Sequence, residues 1–289
     1  MISRLSTNRL APRSPVRRAA APPGSEPVDS ISRRYYDAEA DRLDQEEYYR
    51  HVKPDSPPGA LYTRLSNLVR RTHRRKLGYN PGRYLYPWVD LRPSLRLKSI
   101  YSPGEVRAED PVHGSGAPAR YAEALHGTDA VSIARRIADI ETESFFNCEH
   151  AVPRIWFDDK TPMRGDLHHL FTCSVEANSL RSSARYHDFP DADPTAEGLV
   201  DAEERYFEPA AGRGAVARAT LYFLLRYPIQ AGPLSERDLG LLLEWNRLDP
   251  PGLYEQHRNR EIFKLQGNRN PFIDHPEWAD RVSFSIAIL

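Results

Sequence analysis

Apolar residues recur at helical spacing in the first quarter and the last third of this chain, and the middle breaks that rhythm. Leu61, Leu65, Leu68 and Val69 fall at spacings of four, seven and eight, so they share one stripe and predict a helix from Pro58 to His73. Ser30 to His51 is rich in charge and reads as a charged helix. Lys53-Pro54 stops it, because the residue before a proline is pushed out of the helical region. Arg213 to Tyr227 predicts a third helix, with Val216, Thr220, Phe223 and Leu224 on one side and Pro228 at its end. Ser235 and Asp238 resemble a capping box that opens a helix through Leu239, Leu242, Leu243 and Trp245. Leu253 to Gln266 predicts another, stopped by Gly267.

The middle is less regular. Tyr79 to Gly116 is rich in proline, glycine and tyrosine and holds one short strand candidate, Leu95 to Ser102. Val131 to Ile140 fits a short helix or a strand. Phe145 to Val152 is apolar enough for a strand leading into a turn at Pro153. Ser182 to Gly212 reads as an irregular, acid-rich excursion. The fold class expected is α+β: a mainly helical domain over residues 29–289 with a small two-strand insert that carries the chemistry. Residues 1–28, arginine, alanine, serine and proline without apolar periodicity, predict a disordered leader.

Composition narrows the classes. The chain has 289 residues, 40% hydrophobic and 28% charged, enough to bury a sizeable core. No apolar run approaches the ~20 residues of a membrane span, so no membrane partner is expected. The leader lacks the apolar stretch of a Sec signal peptide. Formal net charge is +0, so any polyanion partner must be met by local clusters. Arg70, Arg71, Arg74, Arg75 and Lys76 form one, readable equally as a solvated helix end or a nucleic-acid contact. Cys148 and Cys173 are the only cysteines; a disulfide and two reduced thiols both stay open.

The candidate chemistry centres on Glu149-His150. A carboxylate can hold a hard cation, and a neutral imidazole can take a proton from water. On a regular strand the two side chains point to opposite faces, so a shared site requires the strand to end there. Glu149 with the amide oxygen of Asn178 suits Mg²⁺, which prefers oxygen ligands. A zinc site from Cys148, Cys173 and the histidines of Asp166-Leu167-His168-His169 is the competing reading. Arg213 and Arg218 open a helix and fit either phosphate binding or packing at Gly214 and Ala217. Gln266 to Trp278 reads as a hydrogen-bonded loop in which Asn268 and Asn270 hold turns and support the site.

In order and spacing, FNCEHAVPRIWF, PMRGDLHHLF, the Asn178 segment, RGAVARATLYFLLRYP, LLLEWNRLDPP and RNREIFKLQGNRNPFIDHPEW resemble the bacterial endonuclease I family, within the His-Me finger (ββα-metal) nucleases. The likeness runs from about Tyr48 to Trp278, with Ala151 standing where a second valine is frequent. It implies a metal-dependent endonuclease that cuts DNA, and RNA too, with little sequence preference and leaves 5′-phosphate ends. His150 would be the general base, Glu149 and Asn178 the ligands of one Mg²⁺ (Mn²⁺ or Ca²⁺ as substitutes), and Arg164 a phosphate contact. Asp166 and His168 would brace the finger, with Arg213, Arg218, Gln266, Asn268 and Asn270 supporting. It also implies a secreted or periplasmic monomer, with an immunity protein as partner if the enzyme is a toxin. The reading from another class is a catalytically inactive nucleic-acid-binding module or a zinc-stabilised interaction module.

Overall fold

The computed structural model describes residues 34–94, 96–103, 146–190, 197–228 and 232–287. The expected leader and Val131 to Ile140 lie outside them. The helices are α1 (Ala38–Tyr49), α2 (Pro58–Thr72), α3 (Pro81–Tyr84), α4 (Val175–Arg181), α5 (Arg213–Arg226), α6 (Glu236–Leu248), α7 (Leu253–Gln266) and α8 (Pro271–Asp274). The strands are β1 (Phe146–His150), β2 (Leu170–Ser174), β3 (Arg185–Tyr186), β4 (Leu199–Asp201) and β5 (Tyr206–Glu208).

The core is built around α5. Every residue from Gly214 to Arg226 is buried, so the predicted one-sided stripe was too narrow. A helix with apolar residues all round must be covered on all sides. The α2 stripe supplies one cover, with Leu61, Leu65 and Val69 fully enclosed. Two polar residues of α2 also serve α5. The Tyr62 hydroxyl donates to the Leu224 carbonyl at 2.9 Å, and Ser66 Oγ donates to that of Leu225 at 2.7 Å. Both acceptors lie in the last turn, where carbonyls lack helical partners.

The charged first helix begins at Ala38, later than Ser30, because Asp37 accepts the Ala40 amide and sets the start there. Its docking depends on a buried ion pair: Arg269 reaches Asp41 at 2.9 Å and Asp274 at 2.7 Å. The Ser235/Asp238 capping box forms on α6. Gly267 ends α7 with φ +93°, a left-handed conformation that glycine adopts without a Cβ penalty. The Gln266 carbonyl there accepts the Arg74 and Arg75 amides, tying α7 to the end of α2.

Two expectations for the middle need correction. No strand forms in the described part of Leu95 to Ser102. That segment is extended and attached to β2 by Ile100 N donating to the Thr172 carbonyl at 2.9 Å and Ser174 N donating to Ser99 Oγ at 3.1 Å. The acid-rich excursion contains a second small sheet, order β3-β5-β4, with β3 parallel and β4 antiparallel to β5. Strands of two or three residues carry too little alternation to read in advance.

A two-stranded sheet forms in the middle of the chain. β1 pairs antiparallel with β2, setting Glu149 opposite Phe171 and His150 opposite Leu170. Helix α4 follows directly, its first turn capped by the Ser174 hydroxyl, which accepts the Ala177 amide at 3.2 Å. Cys173 sits opposite Asn147, so Cys148 and Cys173 project from opposite faces and both are free thiols. The disulfide reading falls on that geometry. The zinc reading falls with it: among the described residues no three His, Cys, Asp or Glu side chains form a group able to hold a metal.

Candidate functional site

The site residues are distributed over the two faces of β1. Asn147 and Glu149 face helix α4; Cys148 and His150 face the other way. The strand ends at His150, as a shared site required, yet the Glu149 carboxylate and the His150 ring still leave it on opposite sides.

On one face, His150 is only 5% exposed. Its Nε2 donates to the Arg164 carbonyl at 3.0 Å in the neutral tautomer that this acceptor requires. Nδ1 is then the nitrogen with a lone pair to accept a proton. Tyr79 stacks on the ring at 5.3 Å, His169 meets it edge-on, and Phe157 lies tilted beside it. Burial, with the neighbouring His169 ring adding to it, pulls the imidazole down to about 3, so it stands neutral across the physiological range. The Arg164 guanidinium lies over the Tyr79 ring at 5.2 Å and remains partly exposed, sharing Asp159 with Arg154. A base and a cation therefore flank one tyrosine.

On the other face, Glu149 is 3% exposed, and its two side-chain partners among the described residues fall on Oε1. The Tyr101 hydroxyl donates at 2.6 Å, and Arg181 pairs at 3.1 Å. Burial raises the carboxyl, and Arg181 and Tyr101 oppose that rise. Arg181 also donates to the His150 carbonyl at 3.1 Å and the Ala151 carbonyl at 2.6 Å, so one guanidinium holds the acid and the backbone that carries the imidazole. Asn178, one helical turn before Arg181, donates Nδ2 to Asn147 Oδ1 at 2.6 Å. Its own Oδ1 accepts no hydrogen bond from the described residues.

Residues 63–277 match the family described as Endonuclease I, nearly three-quarters of the chain. The chain belongs to the endonuclease I family. An extracellular deoxyribonuclease of Aeromonas hydrophila is 38% identical over 122 residues, 40% of this chain and 52% of that protein. A periplasmic deoxyribonuclease of the same organism is 38% identical over 117 residues, 39% and 48% of the two chains. An extracellular ribonuclease of Bacillus amyloliquefaciens is 34% identical over 132 residues, 40% and 46%. The chain spans about half the length of the curated relatives it matches.

Within this endonuclease I chain, the predicted bracing residues form one buried network behind β2. Asp166 accepts from the Tyr222 and Tyr227 hydroxyls at 2.8 and 2.9 Å and from Gln266 Nε2 at 2.9 Å. Burial opposes its charge, and the His73, His168 and His169 rings with the Gln266 amide outweigh that, holding the carboxyl well below the usual range. Gln266 Oε1 accepts the Leu167 amide, and His168 Nε2 donates to the Asn268 carbonyl. Asn270 Nδ2 donates to the Arg218 carbonyl at 3.0 Å, tying the loop to α5.

The phosphate reading of Arg213 and Arg218 is corrected. Arg218 is fully buried in a two-pronged pair with Glu255, and Asp249 accepts the Gly214 amide at the start of α5. Protein carboxylates already occupy the place an anion would take. Arg213 pairs with Glu208 at the rim of a cavity of about 320 Å³ that Trp245 and Asp249 also line. Tyr79, Tyr101 and Tyr186 are the residues around Glu149 and His150 that sequence reasoning missed. Tyr101 precedes Glu149 by 48 residues, so no local spacing connects them. Arg181, three residues after Asn178 on the same helix, had a readable signal.

Proposed function

We propose that this chain is a metal-dependent, largely sequence-non-specific endonuclease that hydrolyses phosphodiester bonds of DNA, and of RNA, to 5′-phosphate and 3′-hydroxyl ends. The observation that carries the reading is the His150 ring: neutral, fixed through Nε2 by a main-chain carbonyl, with Nδ1 left to act as a base. The matched relatives named as deoxyribonucleases and a ribonuclease support the substrate class. In this reading β1, β2 and α4 are a ββα-metal finger. The relatives' extracellular and periplasmic names support export to the same compartments.

Glu149 and Asn178 would hold Mg²⁺. The donor set fits: the Glu149 carboxylate on β1 and the Asn178 amide oxygen on the facing helix α4 are both hard ligands, and the remaining positions suit water and phosphate. Bound there, the ion would supply charge stabilisation at the scissile phosphate and the departing 3′-oxygen. The chain's own groups do the rest. His150 Nδ1 takes a proton from the attacking water as the water oxygen bonds to phosphorus and the phosphorus–3′-oxygen bond breaks, the departing oxygen taking a proton from solvent; the base contribution is typically worth ~10²–10⁴ in rate. The Arg164 guanidinium neutralises a phosphate oxygen and carries no sequence code. Because acid and base lie on opposite faces, the reading requires the phosphate to sit past the end of β1, where both are reached.

A plasmid-nicking assay with Mg²⁺ or EDTA, repeated on RNA, tests this. Nicking in Mg²⁺, none in EDTA, and at least a hundredfold loss in His150→Ala with DNA binding retained are expected. Undiminished cutting by His150→Ala removes the base assignment, and full activity in EDTA removes the metal.

A further inference from the structure

Three buried side chains from separate elements meet one oxygen of Glu149 or each other. Tyr101 reaches in from the extended segment beside β2, Arg181 from α4, and Tyr186 from β3. The Tyr101 hydroxyl donates its single proton to Glu149 Oε1 at 2.6 Å. In the 2.8 Å contact between the two phenols Tyr186 is then the donor, and the Ala151 carbonyl, 3.2 Å from the same hydroxyl, shares that proton. The result is a directed chain, Tyr186 to Tyr101 to Glu149, in which each hydrogen bond polarises the next. Arg181 pairs with the same oxygen at 3.1 Å and lies over the Tyr186 ring at 5.1 Å. No hydrogen bond from a described side chain reaches Oε2.

We propose that Tyr101, Tyr186 and Arg181 are positioning residues that saturate Glu149 Oε1 and reserve Oε2 for a divalent cation. The inference rests on the reading of Glu149 as a cation ligand and goes beyond it by naming the side chains that orient that ligand. A phenol and a guanidinium on one oxygen orient the buried carboxylate and leave Oε2 without a partner among the described side chains. Without the phenol, Oε1 loses its shortest partner, and the carboxylate can turn back onto Arg181. Partners of this kind behind a metal ligand typically affect affinity by ~10–100-fold.

The test is direct Mn²⁺ binding by calorimetry to the whole protein, with no nucleic acid present. Tyr101→Phe keeps the ring and removes only the hydroxyl. It is expected to bind Mn²⁺ about tenfold or more weakly than wild type, with the metal-free melting temperature monitored to show that it folds. Tyr186→Phe, one link further along, should weaken binding in the same direction but less. Arg181→Lys, which restores charge without the second prong, should recover part of what Arg181→Gln loses. Equal Mn²⁺ affinity in wild type and Tyr101→Phe, or in wild type and Tyr186→Phe should Tyr101→Phe fail to fold, overturns the inference and leaves the metal assignment standing. A wild-type protein that binds no Mn²⁺ overturns the metal assignment and the inference together.

Discussion

The buried histidines behind the hairpin make stability fall in mild acid. His168 is buried, donates to the Asn268 carbonyl and packs on Tyr222 at 4.4 Å. Burial, against the favourable pull of Asp166, brings its imidazole down to about 4. The sign follows from where the proton prefers to bind. An unfolded histidine near 6.5 takes a proton more readily than the folded one, so the unfolded chain gains as pH falls. The contribution is fully present above about pH 6.5 and is lost as pH drops toward the folded value. At about pH 5 the unfolded state gains about 2 kcal/mol from this one residue, while the folded state recovers almost nothing. His73 and His169, both lowered chiefly by burial, act with the same sign. Glu149, raised by burial, acts with the opposite sign.

The assay is urea unfolding followed by tryptophan fluorescence near pH 7.5 and pH 5, on wild type and on His168→Gln. Wild type should lose at least about 2 kcal/mol between the two conditions. His168→Gln, whatever its stability at neutral pH, should show an acid loss smaller by about 2 kcal/mol. The difference between the two proteins isolates the imidazole from Glu149. The same acid loss in both, or a wild type more stable near pH 5, refutes the account of His168 as a neutral buried base.

Two further outcomes follow from named contacts. Arg218→Ala leaves the Glu255 carboxylate buried without its partner and should lower unfolding free energy by about 3–5 kcal/mol; a melting temperature unchanged from wild type contradicts the buried pairing. Gly165→Ala places a Cβ 2.2 Å from the Leu77 carbonyl, so the backbone must move, and the adjacent Arg164 carbonyl that fixes His150 moves with it. That variant should lose about 1–3 kcal/mol of stability and a larger share of kcat than of substrate affinity. Normal kinetics in a destabilised Gly165→Ala would show that the loop does not orient His150.

Much of the scaffold was legible because its signals are local. The α2 stripe, the Ser235/Asp238 box and Gly267 are spacings and caps within a single turn of chain, and they set helices with little help from elsewhere. The motif order placed the chain in its family. Glu149, His150 and Asn178 were singled out through the same family resemblance. What each does in space was decided elsewhere. Strand alternation sends Glu149 and His150 apart, and only tertiary contacts say that one meets Tyr101 and Arg181 while the other meets Tyr79 and the Arg164 carbonyl. Arg213 and Arg218 looked like open cations at a helix start. Glu208 is a local partner of Arg213, but the fold brought Glu255 and Asp249 to that corner, and burying the Arg218 guanidinium demands such a partner. Sequence determined which groups are present and which helices form. The tertiary structure decided which charges are already neutralised and which ring nitrogen is free, because desolvation and pairing depend on neighbours that lie up to a hundred residues or more away along the chain.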